Sequence, residues 1–214
     1  MADDLQPLPD RLTTADGESL SAEWSGAPSP RAVAVLTHPH PLYGGDRHNI
    51  VPASLARSLP DHGIATLRFD FRGAGTSTGT HGGGEAEVED VAAAVHAASV
   101  AFPGVPLFGV GYSFGADVLL AADAVRLAGV VAVAPPLAIL PIERLGRSRG
   151  DAPTLILSPE HDQFRSGAEA RPVVADWPET SVVGIPGADH FLAGATAFVA
   201  DEVVAFVERT LATG

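Results

Sequence analysis

Short, continuous runs of apolar residues recur along the chain and predict buried β-strands. A run without polar interruptions suits a strand covered on both faces, as strands in a parallel sheet are. Before the first run, two short polar–apolar alternations flank Asp16-Gly17 within residues 11–24, a pattern typical of an antiparallel hairpin. The predicted buried strands are residues 32–37, 64–69, 105–110, 128–134, 154–157 and 180–183.

Segments with helical character separate these strands. The clearest is 85–102, which is rich in Ala and Val and has acidic residues in its first turn, where they favour the helix dipole. Alternation of strands and helices predicts an α/β fold, with a mostly parallel central sheet, helices on both faces and an N-terminal antiparallel hairpin. No linker or repeat divides the chain, so residues 1–214 are expected to form a single domain. The predicted helices are residues 49–59, 85–102, 114–124, 166–175 and 191–211.

A serine flanked by glycines lies where a predicted strand passes into a predicted helix. The sequence is Gly111-Tyr112-Ser113-Phe114-Gly115, a G-x-S-x-G pattern. Side chains two positions on either side of such a sharp turn would collide, and glycine relieves the crowding. The turn exposes Ser113 at the carboxyl edge of the sheet, which makes it the candidate nucleophile. The alternative is a glycine-rich turn whose serine only caps the helix.

A nucleophilic serine needs a base to take its proton and a third group to orient that base. His190 follows the last predicted strand and starts the last predicted helix, so it is the candidate base. Asp162, in the loop after residues 154–157, is the candidate acid, with Glu160 as the alternative. The non-catalytic alternatives are that either acid caps a helix and that His190 is an ordinary histidine of a surface loop.

Attack by a serine creates an oxyanion, which needs backbone N–H donors. The amide of Phe114 is the expected first donor of this oxyanion hole. The second is expected from the loop after residues 32–37, where two prolines have no N–H and leave the amide of His40 or Leu42. We favour His40, and we expect His38 to brace the loop.

Residues near the nucleophile are also candidates for substrate contact, with packing as the alternative. The candidates are Tyr43, Tyr112 and Leu42. A metal site formed by His38, His40 and His48 is a weaker alternative, because no carboxylate or further histidine lies at an obvious ligand spacing. No metal and no cofactor are therefore expected.

Composition narrows the chemistry further. The 214 residues carry a formal net charge of −13 and contain no Cys. Lys is also absent, so all 13 basic residues are Arg. These absences exclude a thiol nucleophile, a Schiff base and a phosphate-binding lysine. The acidic balance and the scattered Arg residues argue against nucleic acid and anionic membranes as partners. With an acidic start and no long apolar run, a cytoplasmic location is expected.

Four motifs together resemble a known family. Residues 38–45 read H-P-H-P-L-Y-G-G, 68–77 read R-F-D-F-R-G-A-G-T-S, 111–115 read G-Y-S-F-G, and 186–191 read P-G-A-D-H-F. Residues from about 31 to 205 resemble the small, lid-less, dienelactone-hydrolase-like bacterial serine hydrolases of the α/β-hydrolase superfamily. The resemblance implies Ser113 as nucleophile, His190 as base and Asp162 as acid. The loop around the acid departs from the family pattern, which usually reads G-x-x-D there.

The segment 135–153, between two predicted strands, is too short and too rich in proline to build a helical lid. An open site suits hydrolysis of a small carboxylic ester, thioester or lactone through an acyl-enzyme on Ser113. The alternatives are a serine peptidase or amidase with the same residues, and a catalytically silent binding protein. Three arginines of this segment are candidates for binding a substrate carboxylate, with a solvated surface as the alternative: Arg144, Arg147 and Arg149. The oligomeric state is left open.

Overall fold

A computed structural model describes residues 8–26, 28–122, 127–146 and 152–213 of the chain, and these contain an eight-stranded sheet. Its strands are β1 Arg11–Thr13, β2 Ser19–Ser25, β3 Ala32–Thr37, β4 Ile64–Phe69, β5 Leu107–Tyr112, β6 Gly129–Val133, β7 Thr154–Pro159 and β8 Thr180–Ile185. Their spatial order is β1-β2-β4-β3-β5-β6-β7-β8. The pairs β1–β2 and β2–β4 are antiparallel, and the others are parallel. The predicted α/β class and opening hairpin are therefore confirmed.

Helices cover both faces of the sheet. They are α1 Ile50–Ser58, α2 Glu87–Ala101, α3 Phe114–Ala121, α4 Gly167–Val173 and α5 Thr196–Thr213. Apolar residues of α1 and α5 share one core, and those of α2, α3 and α4 share the core on the opposite face. In the described part of the chain, no helix is long and apolar enough to span a membrane.

The unbroken apolar runs are explained by this two-sided burial. Successive residues of a strand point to opposite faces, so a strand between two helical layers buries every side chain. In β3, Val33 and Val35 lie in one core, while Ala34 and Leu36 lie in the other. All four residues are fully or almost fully buried.

The boundaries of β3 and β4 match the prediction, whereas β5 and the last helix start clearly later than predicted. Strand β5 begins at Leu107, because Gly104 has a positive φ of 80° and Pro106 has no N–H for the sheet. The last helix begins at Thr196, and the predicted start at residue 191 is wrong. Leu192 and Gly194 have φ values of 58° and 79°, which form a turn before the helix.

The connection from β6 to β7 contains no helix or strand in its described part, residues 134–146 and 152–153. This agrees with the prediction that no sizeable lid is present there. Arg144 forms an ion pair with exposed Glu85, which favours a surface role for this arginine. Arg147 and Arg149 lie outside the described residues.

Candidate active site

Ser113 occupies a strained turn between β5 and α3. Its φ of 54° and ψ of −121° lie outside the regions that non-glycine residues ordinarily adopt. The flanking glycines permit the turn: a Cβ on Gly111 would lie 2.6 Å from the Cα of Ala116, and one on Gly115 would lie 2.5 Å from the carbonyl oxygen of His38. The backbone N–H of Ser113 donates to the carbonyl of Val133 at 2.9 Å, which ties the turn to β6.

The structure brings the predicted nucleophile, base and acid into one hydrogen-bonded series. Ser113 Oγ lies 2.8 Å from His190 Nε2, and His190 Nδ1 lies 2.9 Å from Asp162 Oδ2. All three residues are buried among the loops at the carboxyl edge of the sheet. Because Nδ1 faces a carboxylate, the neutral imidazole carries its proton there and presents an unprotonated Nε2 to the serine.

Asp162, rather than Glu160, is the acid in contact with the imidazole. Its Oδ1 accepts the backbone N–H of Phe164 at 2.8 Å, which fixes the carboxylate within the loop after β7. The Glu160 side chain is exposed and accepts the N–H of Gly187 at 2.9 Å. Glu160 thus holds the loop that leads to His190 without touching its ring.

The structure places Tyr112, a predicted substrate contact, inside the protein beside His190. Its side chain is 4% exposed, and its hydroxyl donates to the carbonyl oxygen of His190 at 2.7 Å. Burial raises the pKa of Tyr112, so the phenol stays protonated as a donor. Its ring is also stacked near the imidazole, with centroids 5.9 Å apart. Tyr112 therefore positions His190 from inside the protein.

His38 braces the loop after β3, as predicted. Its Nδ1 lies 2.6 Å from the carbonyl oxygen of Pro39, and its Nε2 accepts the N–H of Phe71 at 3.0 Å. Both ring nitrogens are thus engaged by backbone groups, so His38 has no free nitrogen for the alternative metal site. Burial lowers the pKa of His38 to about 4 and favours the neutral ring that this bonding requires.

We expect His38 to remain neutral well below the pH at which an ordinary histidine titrates. The measurement is an NMR titration of its ring protons, with an expected midpoint near 4 against 6.5 for an unperturbed histidine. Between these values the unfolded chain binds more protons, so the free energy of unfolding decreases as the pH falls. The contribution of His38 to this decrease is up to about 3 kcal/mol. A midpoint near 6.5 would contradict the assignment.

The two predicted oxyanion donors belong to neighbouring segments, the start of α3 and the loop after β3, and the rings of Phe114 and His40 lie 4.8 Å apart. The N–H of Phe114, in the first turn of α3, has no acceptor among the described residues, and the same is true of His40. The N–H of Leu42, the alternative donor, is already directed to His40 Nδ1 at 3.3 Å. This difference favours His40 over Leu42 as the second donor.

Exposed apolar side chains surround the opening of the site. Leu42 and Tyr43, both predicted substrate contacts, are 70% and 86% exposed, and the Tyr43 ring lies 4.7 Å from that of His40. On the other side, the Phe164 ring lies 4.5 Å from the imidazole of His190, and Phe191 follows in the chain. We call these four residues the apolar rim: Leu42, Tyr43, Phe164 and Phe191.

Sequence reasoning missed one buried carboxylate that shapes the site. Asp117, one helical turn after Ser113, accepts the backbone N–H groups of Leu137, Ala138 and Ile139 at 2.8–3.0 Å. Burial raises the pKa of Asp117. The carboxylate fixes the loop after β6 beside the turn that carries the serine. The available sequence signal was an acidic residue within an otherwise apolar helix.

Solved structures described as α/β serine hydrolases or as an esterase share this fold. An α/β serine hydrolase homologue from Coxiella burnetii is 27% identical, covers 91% of this chain and 94% of its own, and has a TM-score of 0.76. A lid-less α/β serine hydrolase from Xanthomonas campestris is 24% identical, with coverages of 93% and 92% and a TM-score of 0.81. The esterase Pf2001 from Pyrococcus furiosus is 19% identical, with coverages of 93% and 90% and a TM-score of 0.79. The chain therefore shares the fold of the α/β-hydrolase superfamily.

A family model described as serine aminopeptidase, S33, matches residues 28–148, which is more than half of the chain. The chain belongs to this family. The matched segment contains Ser113 and His40 but ends before Asp162 and His190. An uncharacterized protein of Rickettsia prowazekii is 40% identical over 77 residues, and the match covers 36% of this chain and 32% of that relative. The chain thus spans about a third of the length of this curated relative.

Proposed function

We propose that this hydrolase cleaves a small carboxylic ester, thioester or lactone through an acyl-enzyme on Ser113. The observation that carries the proposal is the hydrogen-bonded series of Ser113, His190 and Asp162 at the strained turn after β5. Strained backbone of this kind costs about 1–3 kcal/mol and clusters at functional sites, where the surrounding structure maintains it. Here the strain presents a serine hydroxyl to an oriented base.

In the proposed acylation step, Ser113 Oγ attacks the carbonyl carbon while His190 Nε2 takes the hydroxyl proton. Asp162 keeps Nδ1 protonated and stabilises the imidazolium that forms. The bond between the acyl carbon and the leaving oxygen or sulfur then breaks, and His190 returns the proton to the leaving group. Water repeats the sequence on the acyl-enzyme, which releases the carboxylic acid and restores the serine.

The negative charge of the tetrahedral intermediate requires donors that are already in place. The N–H groups of Phe114 and His40 are the proposed pair, and each such donor stabilises the transition state by about 3 kcal/mol. The N-terminal end of α3 adds its positive dipole at the same position. Neither donor needs to break an existing hydrogen bond to a described residue before it binds the oxyanion.

The apolar rim and the short β6–β7 connection support a small substrate with an apolar portion. Exposed rings and aliphatic side chains beside a polar catalytic centre give affinity to an acyl or alcohol group through loss of water contact. The structurally similar Pyrococcus furiosus protein is an esterase. The proposed partner is accordingly a small-molecule ester, bound at the carboxyl edge of the sheet.

Amide hydrolysis is the second candidate, because the family description names an aminopeptidase. The same nucleophile and base serve both reactions, since both pass through an acyl-enzyme. A series of p-nitrophenyl esters of increasing acyl length, assayed beside a lactone and an aminoacyl p-nitroanilide, separates the two. Faster cleavage of the anilide than of every ester would favour the peptidase.

Labelling with a fluorophosphonate tests whether the serine is activated at all. We expect folded protein to form a stoichiometric adduct that peptide mass spectrometry maps to Ser113, because only an oriented base makes a serine hydroxyl reactive. Heat-unfolded protein and the Ser113→Ala variant are the controls, and neither should react. An unreactive folded protein would overturn the proposal in favour of a catalytically silent binding protein.

A further inference from the structure

Two further imidazoles lie together beside the proposed nucleophile. The ring centroids of His40 and His81 are 4.7 Å apart, and they lie 4.8 Å and 5.3 Å, respectively, from the ring of Phe114. Phe114 directly follows Ser113, so this three-ring cluster adjoins the reacting centre. The mechanism proposed above uses neither imidazole side chain.

A buried carboxylate lies against one ring nitrogen of His81. Its Nδ1 lies 2.8 Å from Glu87 Oε1, close enough for a charge contact although out of line for a hydrogen bond. Glu87 is fully buried, and its two oxygens accept the N–H groups of Gly82 and Gly84 at 2.7 Å and 2.8 Å, so the carboxylate cannot rotate away. In the tautomer with its proton on Nδ1, on the side of the carboxylate, Nε2 of His81 is an acceptor.

His40 has the opposite arrangement. Its Nδ1 accepts the N–H of Leu42, so the neutral ring carries its proton on Nε2. Burial, with a smaller contribution from neighbouring His81, lowers the pKa of His40 and favours that neutral form. Within the described residues, Nε2 of neither imidazole has a hydrogen-bond partner. The cluster therefore offers one free donor and one free acceptor.

We propose that His40 and His81 form a subsite that recognises a hydroxyl group on the acyl portion of the substrate. The hydroxyl would accept from Nε2–H of His40 and donate to Nε2 of His81. A plain alkyl group satisfies neither nitrogen, and a carboxylate satisfies only the donor. Sites with polar groups of this kind discriminate against analogues that leave those groups unpaired. This inference rests on the proposed esterase function and specifies its substrate class.

The test compares kcat/KM for methyl butanoate, methyl 3-hydroxybutanoate and monomethyl succinate, measured by pH-stat titration. We expect the wild-type protein to prefer the hydroxy ester over the plain ester by about 10- to 100-fold. His81→Phe keeps a ring against Phe114 but removes the acceptor, so the preference should fall to near unity. His96→Phe, at an exposed position on α2, is the matched control and should retain the preference.

Fluorophosphonate labelling of each variant separates failure of the subsite from failure of the proposed function. If His81→Phe reacts with the probe and still prefers the hydroxy ester, the subsite is overturned while the esterase function stands. A wild-type preference for monomethyl succinate or for methyl butanoate would also overturn it. If thermal unfolding shows that His81→Phe does not fold, His81→Leu replaces it, since leucine also lacks a hydrogen-bond acceptor, and the same loss of preference is expected. If the wild-type protein neither reacts with the fluorophosphonate nor cleaves any ester, both proposals are contradicted.

Discussion

Replacement of Asp162 by asparagine is expected to lower kcat for ester hydrolysis about a thousandfold to ten-thousandfold, with a much smaller change in KM. The amide NH2 of asparagine would donate to His190 Nδ1 and move the ring proton to Nε2, where it faces Ser113. The base would then be unable to accept the serine proton. Steady-state kinetics with a p-nitrophenyl ester measure the effect, and a fluorophosphonate should label the variant correspondingly slowly.

Glu160→Gln is the matched control for this substitution. Glu160 lies two residues away and contacts the loop before His190 only through the N–H of Gly187, a bond that the glutamine carbonyl can also accept. Turnover should therefore be preserved in this variant. Near-normal turnover of the asparagine variant, combined with a large loss in Glu160→Gln, would transfer the role of the acid to Glu160.

Local sequence signals were sufficient for the strands and for the turn that carries the serine. Strand β3 is apolar throughout because helices cover both of its faces, so its limits are visible in the sequence itself. The turn at Ser113 requires glycine two positions before and two positions after the serine. This signal lies within five consecutive residues, so it is visible in the sequence. Because parallel strands end at a common edge, the loop positions of Asp162 and His190 followed from the order of elements.

Local sequence patterns do not predict contacts between residues that are far apart in the chain. The hydroxyl of Tyr112 reaches the carbonyl of His190, 78 residues away, and only the packed fold shows that this tyrosine lies beneath the site. The same holds for His81, which belongs to a glycine-rich loop with no periodicity and meets His40 through tertiary structure. The start of α5 was misjudged for another reason, since the turn at Leu192 has helix-compatible residue types and a non-helical backbone.

Replacement of Gly115 by alanine is expected to lower the free energy of unfolding by about 3 kcal/mol, or Tm by roughly 6–12 °C for a chain of this size. In a helix interior, replacing glycine by alanine normally stabilises the protein by about 0.5–1 kcal/mol. The sign of the change in the free energy of unfolding at Gly115 therefore depends on the space around the new Cβ. Here the new Cβ would lie 2.5 Å from the carbonyl oxygen of His38 and 2.7 Å from Thr37 Oγ1. Denaturant titration and thermal unfolding measure the loss.

Gly184→Ala is the control, because an added Cβ at this position in β8 meets no atom within 4 Å. Its stability should be preserved or slightly increased, so equal losses in the two variants would contradict the steric explanation.

The clash at Gly115 also has a catalytic consequence, since it lies between the helix that contains the Phe114 amide and the loop that contains the His40 amide. Separating α3 from that loop widens the proposed oxyanion hole, so folded Gly115→Ala protein should lose kcat more than substrate affinity.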